Sequence, residues 1–203
     1  MYKEILLEQG SPAWKAYRQG HIGASDAPII MTLSPWTTPH QLWEYKLGLK
    51  DPSPMTPKMQ RGVDLEPIAR QICIEHHDIN FIPKVFESIE HPFLCASLDG
   101  FSKEKNMILE IKCPNDDTHN LAILGHIKDY YMCQLQHQMM ISGVDECLYM
   151  SYNPDHPNSV AYIDVYLDQQ YVDMILKVEK YFWDCVCNIR EFIPDFQINK
   201  YGV

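Results

Sequence analysis

Ser97-Leu98-Asp99-Gly100, followed by Leu109-Glu110-Ile111-Lys112-Cys113-Pro114, decides how this chain is read. Phe93–Leu98 and Met107–Lys112 are apolar-rich runs of strand length. Asp99-Gly100 between them is a turn signal that puts Asp99 where the first strand ends. Side chains alternate along a strand, so Glu110 and Lys112 share one face and Ile111 takes the other. If the two strands pair, Asp99 comes near Glu110. Two neighbouring carboxylates repel unless a cation lies between them. Mg2+ prefers such hard oxygen ligands, and the adjacent lysine can orient or deprotonate a water. Alone, a Glu-x-Lys pair is an ordinary solvated strand face, and Asp-Gly an ordinary turn.

Working outward, Phe81–Ile89 reads as a further strand. A long helix is expected over residues 57–77, with Pro67 kinking it or starting its second half. Residues 51–57 carry Pro52, Pro54 and Pro57 and read as a linker. The first 50 residues read as short helices. Ser11-Pro12 and Thr38-Pro39 are N-cap and first-turn pairs, and Gly48 suits a helix end. Ser25, in Gly23-Ala24-Ser25-Asp26, is placed to cap the next helix. Downstream, a helical pattern covers residues 116–142, strongest in Tyr130–Ile141. Strands follow at Cys147–Asn153 and Val160–Tyr166, then a closing helix from an Asp168 cap to about Arg190. The order predicts an α/β (α+β) fold, a central mixed β-sheet flanked by helices.

With 203 residues, 46% of them hydrophobic, a single domain over residues 1–203 is expected. No apolar run reaches the ~18 residues of a membrane span, and MYKEILLEQG lacks the form of a secretory signal. The expected location is the cytoplasm. Seven cysteines without a CxxC pair read as reduced, structural thiols. Most of the nine histidines read as surface or satisfied core groups. Trp14, Trp36, Trp43 and Trp183 read as core helix anchors.

The net charge of −10 is unusual for a nucleic-acid binder. It is unevenly spread. Residues 1–128 hold 13 Lys and Arg against 16 Asp and Glu, whereas residues 129–203 hold 4 against 11. Acidity argues against tight non-specific coating of DNA and leaves room for a narrow basic groove.

Taken together, Trp14–Arg18, Ile22–Ala27, Leu33–Trp36, Gly62–Arg70, Ala96–Gly100, Leu109–Pro114 and Tyr130–Gln138 resemble, in order and spacing, the lambda exonuclease and YqaJ-like viral recombinase family. Its core is of the PD-(D/E)xK nuclease type. The resemblance covers roughly residues 12–155. It implies that Asp99 and Glu110 are metal ligands, completed by the Ile111 carbonyl, and that Lys112 acts on the attacking water. It further implies Glu66 as an active-site carboxylate from the long helix and Gln134 as a glutamine reaching the site. Gln136 and Gln138 are left as helix-surface or helix–helix residues. Arg18, Ser25 and Ser97 match residues that hold a terminal 5′-phosphate. Met59 is a core or surface methionine whose alternative role is a wedge at the DNA end.

The resemblance also implies an activity: Mg2+-dependent (alternatively Mn2+-dependent) 5′-to-3′ degradation of linear double-stranded DNA. It implies a ring-shaped homotrimer, a single-strand-annealing recombinase as partner, and a phage or prophage setting in a bacterial host. Two alternatives stay open at this stage. One is an endonuclease or structure-specific nuclease on the same core, for which a terminal-phosphate pocket would serve no purpose. The other is a catalytically silent DNA-binding or assembly module, for which the Asp–Glu–Lys set would have no chemical use.

Overall fold

The computed structural model describes residues 1–52 and 54–194; Ser53, inside the linker-like stretch, lies outside the described residues. One seven-stranded mixed sheet organises the chain. Its strands are β1 (Tyr2–Glu4), β2 (Ile22–Gly23), β3 (Ile82–Ser88), β4 (Leu94–Ser102), β5 (Met107–Lys112), β6 (Glu146–Tyr152) and β7 (Val160–Tyr166). The helices are α1 (Pro12–Gln19), α2 (Ala27–Ile30), α3 (Pro39–Lys46), α4 (Pro57–His77), α5 (Asp116–Ile123), α6 (Asp129–Ser142) and α7 (Gln169–Cys187). The expected mixed α/β architecture is what forms.

Helix starts follow local chemistry. Ser11, Thr38 and Thr56 each accept a backbone N–H with a proline in the first turn behind them. Thr38 and Gln41 complete a capping box. Pro67 lies inside α4 without ending it. Residues 116–142 form two helices, because Gly125 takes φ +79° between α5 and α6. The closing helix stops at Cys187, short of the expected Arg190.

The path through the sheet runs β1-β3-β4-β5-β6-β7. β5 and β6 are parallel, and the other pairs along this path are antiparallel. The sheet has a core on each face. Ile108, Leu94, Leu98 and Phe101 pack among residues of α2, α6 and α7. Met107, Leu109 and Ile111 pack with Ala69 and Cys73 of α4 and with Phe81. This alternation puts Glu110 and Lys112 on the α6 side of β5.

Asp99-Gly100 is not a turn. β4 runs on to Ser102, and the reversal falls over residues 103–106, with Asn106 in the left-handed region at φ 52°. Gly100 has a packing reason instead. A Cβ there would stand 2.7 Å from the Phe81 Cβ and 3.1 Å from the Leu109 Cβ. Asp99 consequently sits within a strand, beside a register slip. Ile82 faces Phe101 while Lys84 faces Leu98, so β4 carries an extra residue there. Such a bulge re-aims a side chain.

β2 pairs with Leu94 and Cys95 of β4, and β5 pairs with Gly100, Phe101 and Ser102. β3 pairs with both Cys95 and Phe101, so β2 and β5 share the edge of β4 opposite β3. Between them β4 is forked open from Ala96 to Asp99.

Candidate active site

At the fork, side chains replace the missing ladder. The carbonyls of Ser97, Leu98 and Asp99 accept from Gln138 Nε2 at 3.3 Å, Gln9 Nε2 at 3.1 Å and Arg70 Nε at 2.6 Å. Unpaired backbone acceptors inside a protein are costly, so these contacts also fix the fork's shape. Asp99 Oδ2 accepts from the Ile111 amide at 2.8 Å. A strand residue presents its N–H and C=O on the same edge, which turns the Ile111 carbonyl toward Asp99.

Glu110 is 2% exposed. Its Oε1 accepts from Lys112 Nζ and from Gln134 Nε2 at 2.7 Å, and its Oε2 accepts from Gln138 Nε2 at 2.7 Å. Lys112 Nζ also donates to Gln134 Oε1 at 3.2 Å and lies 5.1 Å from the centre of the Tyr131 ring. Glu66 reaches the cluster from α4, where it accepts from Arg70. The structure thus draws Asp99, Glu110, Lys112, Glu66 and Gln134 into one neighbourhood.

Electrostatics mark the cluster as acidic beyond its counter-charges. Burial, then Glu110 and Glu66, push the Asp99 carboxyl far above the usual carboxylate range. Burial also raises Glu66, against the lowering pull of Arg70. Burial alone would lower the Lys112 ammonium, but Glu110 and Asp99 hold it well above its ordinary value. Among the described residues no three His, Cys, Asp or Glu side chains are grouped as a metal site. The available donors are two carboxylates and a main-chain carbonyl, all hard oxygens. Repulsion between Asp99 and Glu110 is what a divalent cation would relieve, so the donor set fits Mg2+.

A second constellation lies on the other side of Ser97. Trp14 Nε1 donates to Ser97 Oγ at 2.9 Å, and the Trp14 ring lies 5.0 Å from the Arg18 guanidinium carbon. Arg18 donates to Ser25 Oγ. Arg18, Ser25 and Ser97 are therefore linked through Trp14. Ser25 does not cap α2: its hydroxyl serves Arg18, and Asp26 occupies the cap position without a side-chain cap bond. α2 is only four residues long, so its N-terminus adds little field for an anion. Met59 is 52% exposed in the first turn of α4.

Two expectations need correction, for Gln138 and for two of the tryptophans. Gln138 is fully buried and bonds Glu110, so it belongs to the site rather than to a helix surface. Its i+4 spacing from Gln134 was the available signal, since both residues lie on one helix face. Gln136 takes the expected helix–helix role: it is 2% exposed and ties Tyr166 O to Asp168 N–H at the start of α7. Trp36 is 70% exposed, against Tyr130, and Trp14 belongs to the Arg18 cluster; neither is a core anchor. The histidine expectation holds for His119 and His137, which are buried with both ring nitrogens bonded. All seven cysteines are free thiols.

The model of the YqaJ-like viral recombinase domain matches residues 13–145. The uncharacterized protein YqaJ of Bacillus subtilis (strain 168) is 26% identical over 185 residues. The match covers 87% of this chain and 56% of that protein, so the chain spans little more than half the relative's length. An alkaline exonuclease, LHK-Exo from Laribacter hongkongensis, superposes with a TM-score of 0.77 at 25% identity, covering 88% of this chain and 94% of that one. That enzyme has also been solved in complex with dAMP. A phage related exonuclease from Haemophilus somnus 129PT shares the fold, with a TM-score of 0.61 at 13% identity over 83% of this chain and 96% of that one.

Proposed function

Because the chain belongs to the YqaJ-like viral recombinase domain family, we propose that it is a Mg2+-dependent 5′-to-3′ exonuclease on linear double-stranded DNA. In this reading it releases mononucleotides and leaves a 3′ single-stranded overhang for recombination by single-strand annealing. The observation that carries the reading is the convergence of Asp99, Glu110, Glu66 and Lys112 at the open edge of β4. Support also comes from the likeness to LHK-Exo, an alkaline exonuclease solved with dAMP.

Asp99, Glu110 and the Ile111 carbonyl would hold the cation; Mn2+ is an alternative. A divalent cation held there would supply Lewis-acid polarisation of the phosphodiester and an activated water. Gln134 and Gln138 hold Glu110 by both carboxylate oxygens, which fixes its orientation. Lys112 stands against Glu110 and Gln134, where its ammonium can orient the attacking water and offset developing negative charge. Arg70 binds both Glu66 and the Asp99 carbonyl, keeping α4 in register with the fork. Arg18, Ser25 and Ser97 would hold the terminal 5′-phosphate, and Met59 would wedge the terminal base pair. Hydrolysis breaks the P–O3′ bond, so each turnover leaves a fresh 5′-phosphate on the strand.

The direct test is a duplex labelled separately at its 5′ and 3′ ends, incubated with Mg2+. Early release of 5′ label as mononucleotide, with 3′ label retained, is expected. Internal cuts would replace this reading with an endonuclease, and no cleavage with Mg2+ or Mn2+ would remove the catalytic assignment.

A ring-shaped homotrimer around DNA is part of the proposal, since a chain of net charge −10 gains little from an open electrostatic patch. Light scattering should give three times the chain mass; a monomer at micromolar concentration removes the ring. A single-strand-annealing recombinase is the proposed partner, in the bacterial cytoplasm during phage-type recombination. Among the described residues no helix is long and apolar enough to cross a membrane.

A further inference from the structure

Lys46, the last residue of α3, has a side chain only 1% exposed. Its ammonium donates to the carbonyls of Arg18, at 2.9 Å, and His21, and to Asp26 Oδ2 at 2.8 Å. Asp26 Oδ2 also accepts from the Gly23 N–H at 2.9 Å, and Asp26 Oδ1 lies 3.6 Å from Arg18 Nη2. Two cations thus share one anion. Burial opposes the Asp26 charge, but Lys46 and Arg18 hold its carboxyl below the usual range.

The sharing is unequal. Coulomb attraction weakens with distance, and Lys46 holds the shorter, directly hydrogen-bonded contact. Arg18 is therefore left only partly compensated, with its side chain 23% exposed. Among the described residues its one side-chain hydrogen bond goes to Ser25. Gly23 makes the seat for it. A Cβ at that position would stand 2.8 Å from Nη2 and 3.0 Å from Nε.

We infer that Lys46 is a positioning residue for recognition of the DNA end: it neutralises Asp26, so that the Arg18 guanidinium keeps its charge for a terminal 5′-phosphate. This rests on the assignment of Arg18 and Ser25 to the phosphate pocket. Lys46 never meets the ligand. Without its charge, Asp26 has only Arg18 to pair with, and the two would close into a neutral ion pair that no longer attracts an anion.

The test compares wild type, K46Q and the neutral pair K46Q/D26N. The readout is the ratio of affinities for 5′-phosphorylated and 5′-hydroxyl duplex, by fluorescence anisotropy in EDTA so that no hydrolysis intervenes. Wild type should favour the phosphorylated end by at least about tenfold, the worth of one charge-assisted hydrogen bond. K46Q should bring the ratio to about threefold or less, and K46Q/D26N should restore at least about fivefold. Because the readout is a ratio, a merely structural role for Lys46, which would weaken binding of both ends alike, would leave it unchanged. If K46Q lacks a cooperative melt, the double variant decides alone, because it buries no unpaired charge. A K46Q ratio equal to wild type, or a folded K46Q/D26N without preference, overturns the inference and leaves the pocket standing. Equal affinities in wild type overturn the pocket and the inference together.

Discussion

Asp26 and Asp99 are both partly or fully enclosed carboxylates, and the protein treats them in opposite ways. Burial penalises the charge on each. Around Asp26, Lys46 and Arg18 more than offset that penalty, and the carboxyl stays below its usual range. Around Asp99, Glu110 and Glu66 add to it, and Lys112 and the Ile111 amide do not compensate. His137 and Glu179 resemble the first case: a fully buried pair at 2.7 Å joining α6 to α7, with the second His137 nitrogen on the Cys95 carbonyl. Charges that hold the fold together come with partners. The group at the fork is short of positive charge, which costs stability and is the condition a cation would satisfy.

Asp99→Asn presses hardest on this contrast. The amide keeps the oxygen that accepts from Ile111 but removes a charge. Hydrolysis should fall by at least about a thousandfold, the scale of losing a key electrostatic contact to the reacting phosphate. The melting temperature in EDTA should stay level or rise. A marked fall in melting temperature would mean that Asp99 is a structural charge like Asp26.

Glu179→Gln tests the balanced side. It removes the negative charge beside the buried His137 imidazole and should cost about 3 kcal/mol at pH 6. Burial alone would lower the His137 value, but Glu179 and the Cys95 carbonyl raise it above its ordinary range. A raised native value gives stabilisation that is complete below the unfolded imidazole value of about 6.5. It is lost as pH rises through the native value. Urea melts at pH 6 and pH 9 should therefore show the gap between wild type and variant narrowing with pH; a widening gap would contradict the ion pair.

Arg18→Ala has the smallest expected effect and the most specific one. Wild type should degrade 5′-phosphorylated duplex at least about tenfold faster than 5′-hydroxyl duplex, and the variant should lose most of that margin. A preserved margin would place the phosphate contact elsewhere.

The parts of this molecule legible in sequence are those with local causes. Proline behind a Ser or Thr cap marked α1 and α3, and an apolar-rich run of strand length marked β5 to the residue. β1 and β2, three and two residues long, carry no periodicity, and both exist because β3 and β4 offer them an edge. Asp99-Gly100 misled because glycine serves both turns and close packing, and its packing partners, Phe81 and Leu109, lie outside the local sequence. The residues around Glu110 were within reach through family resemblance, whereas Gln138 depended on which turn of α6 faces β5. Lys46 had no sequence signal at all, since its partners come from α1, the following turn and the start of α2.

The thiols provide a ruler for local opening. Burial pushes Cys73 and Cys95 up to about 12 and Cys113 to about 11, while Cys187 is exposed at the end of α7. Thiolate is the reacting form, so alkylation of the native chain near neutral pH should begin at Cys187. Each slower site then clocks a separate element: Cys73 on α4, Cys95 on β4, Cys133 on α6 and Cys147 on β6. Mass spectrometry of a timed alkylation would rank these elements by how often they come apart, with no substitution introduced.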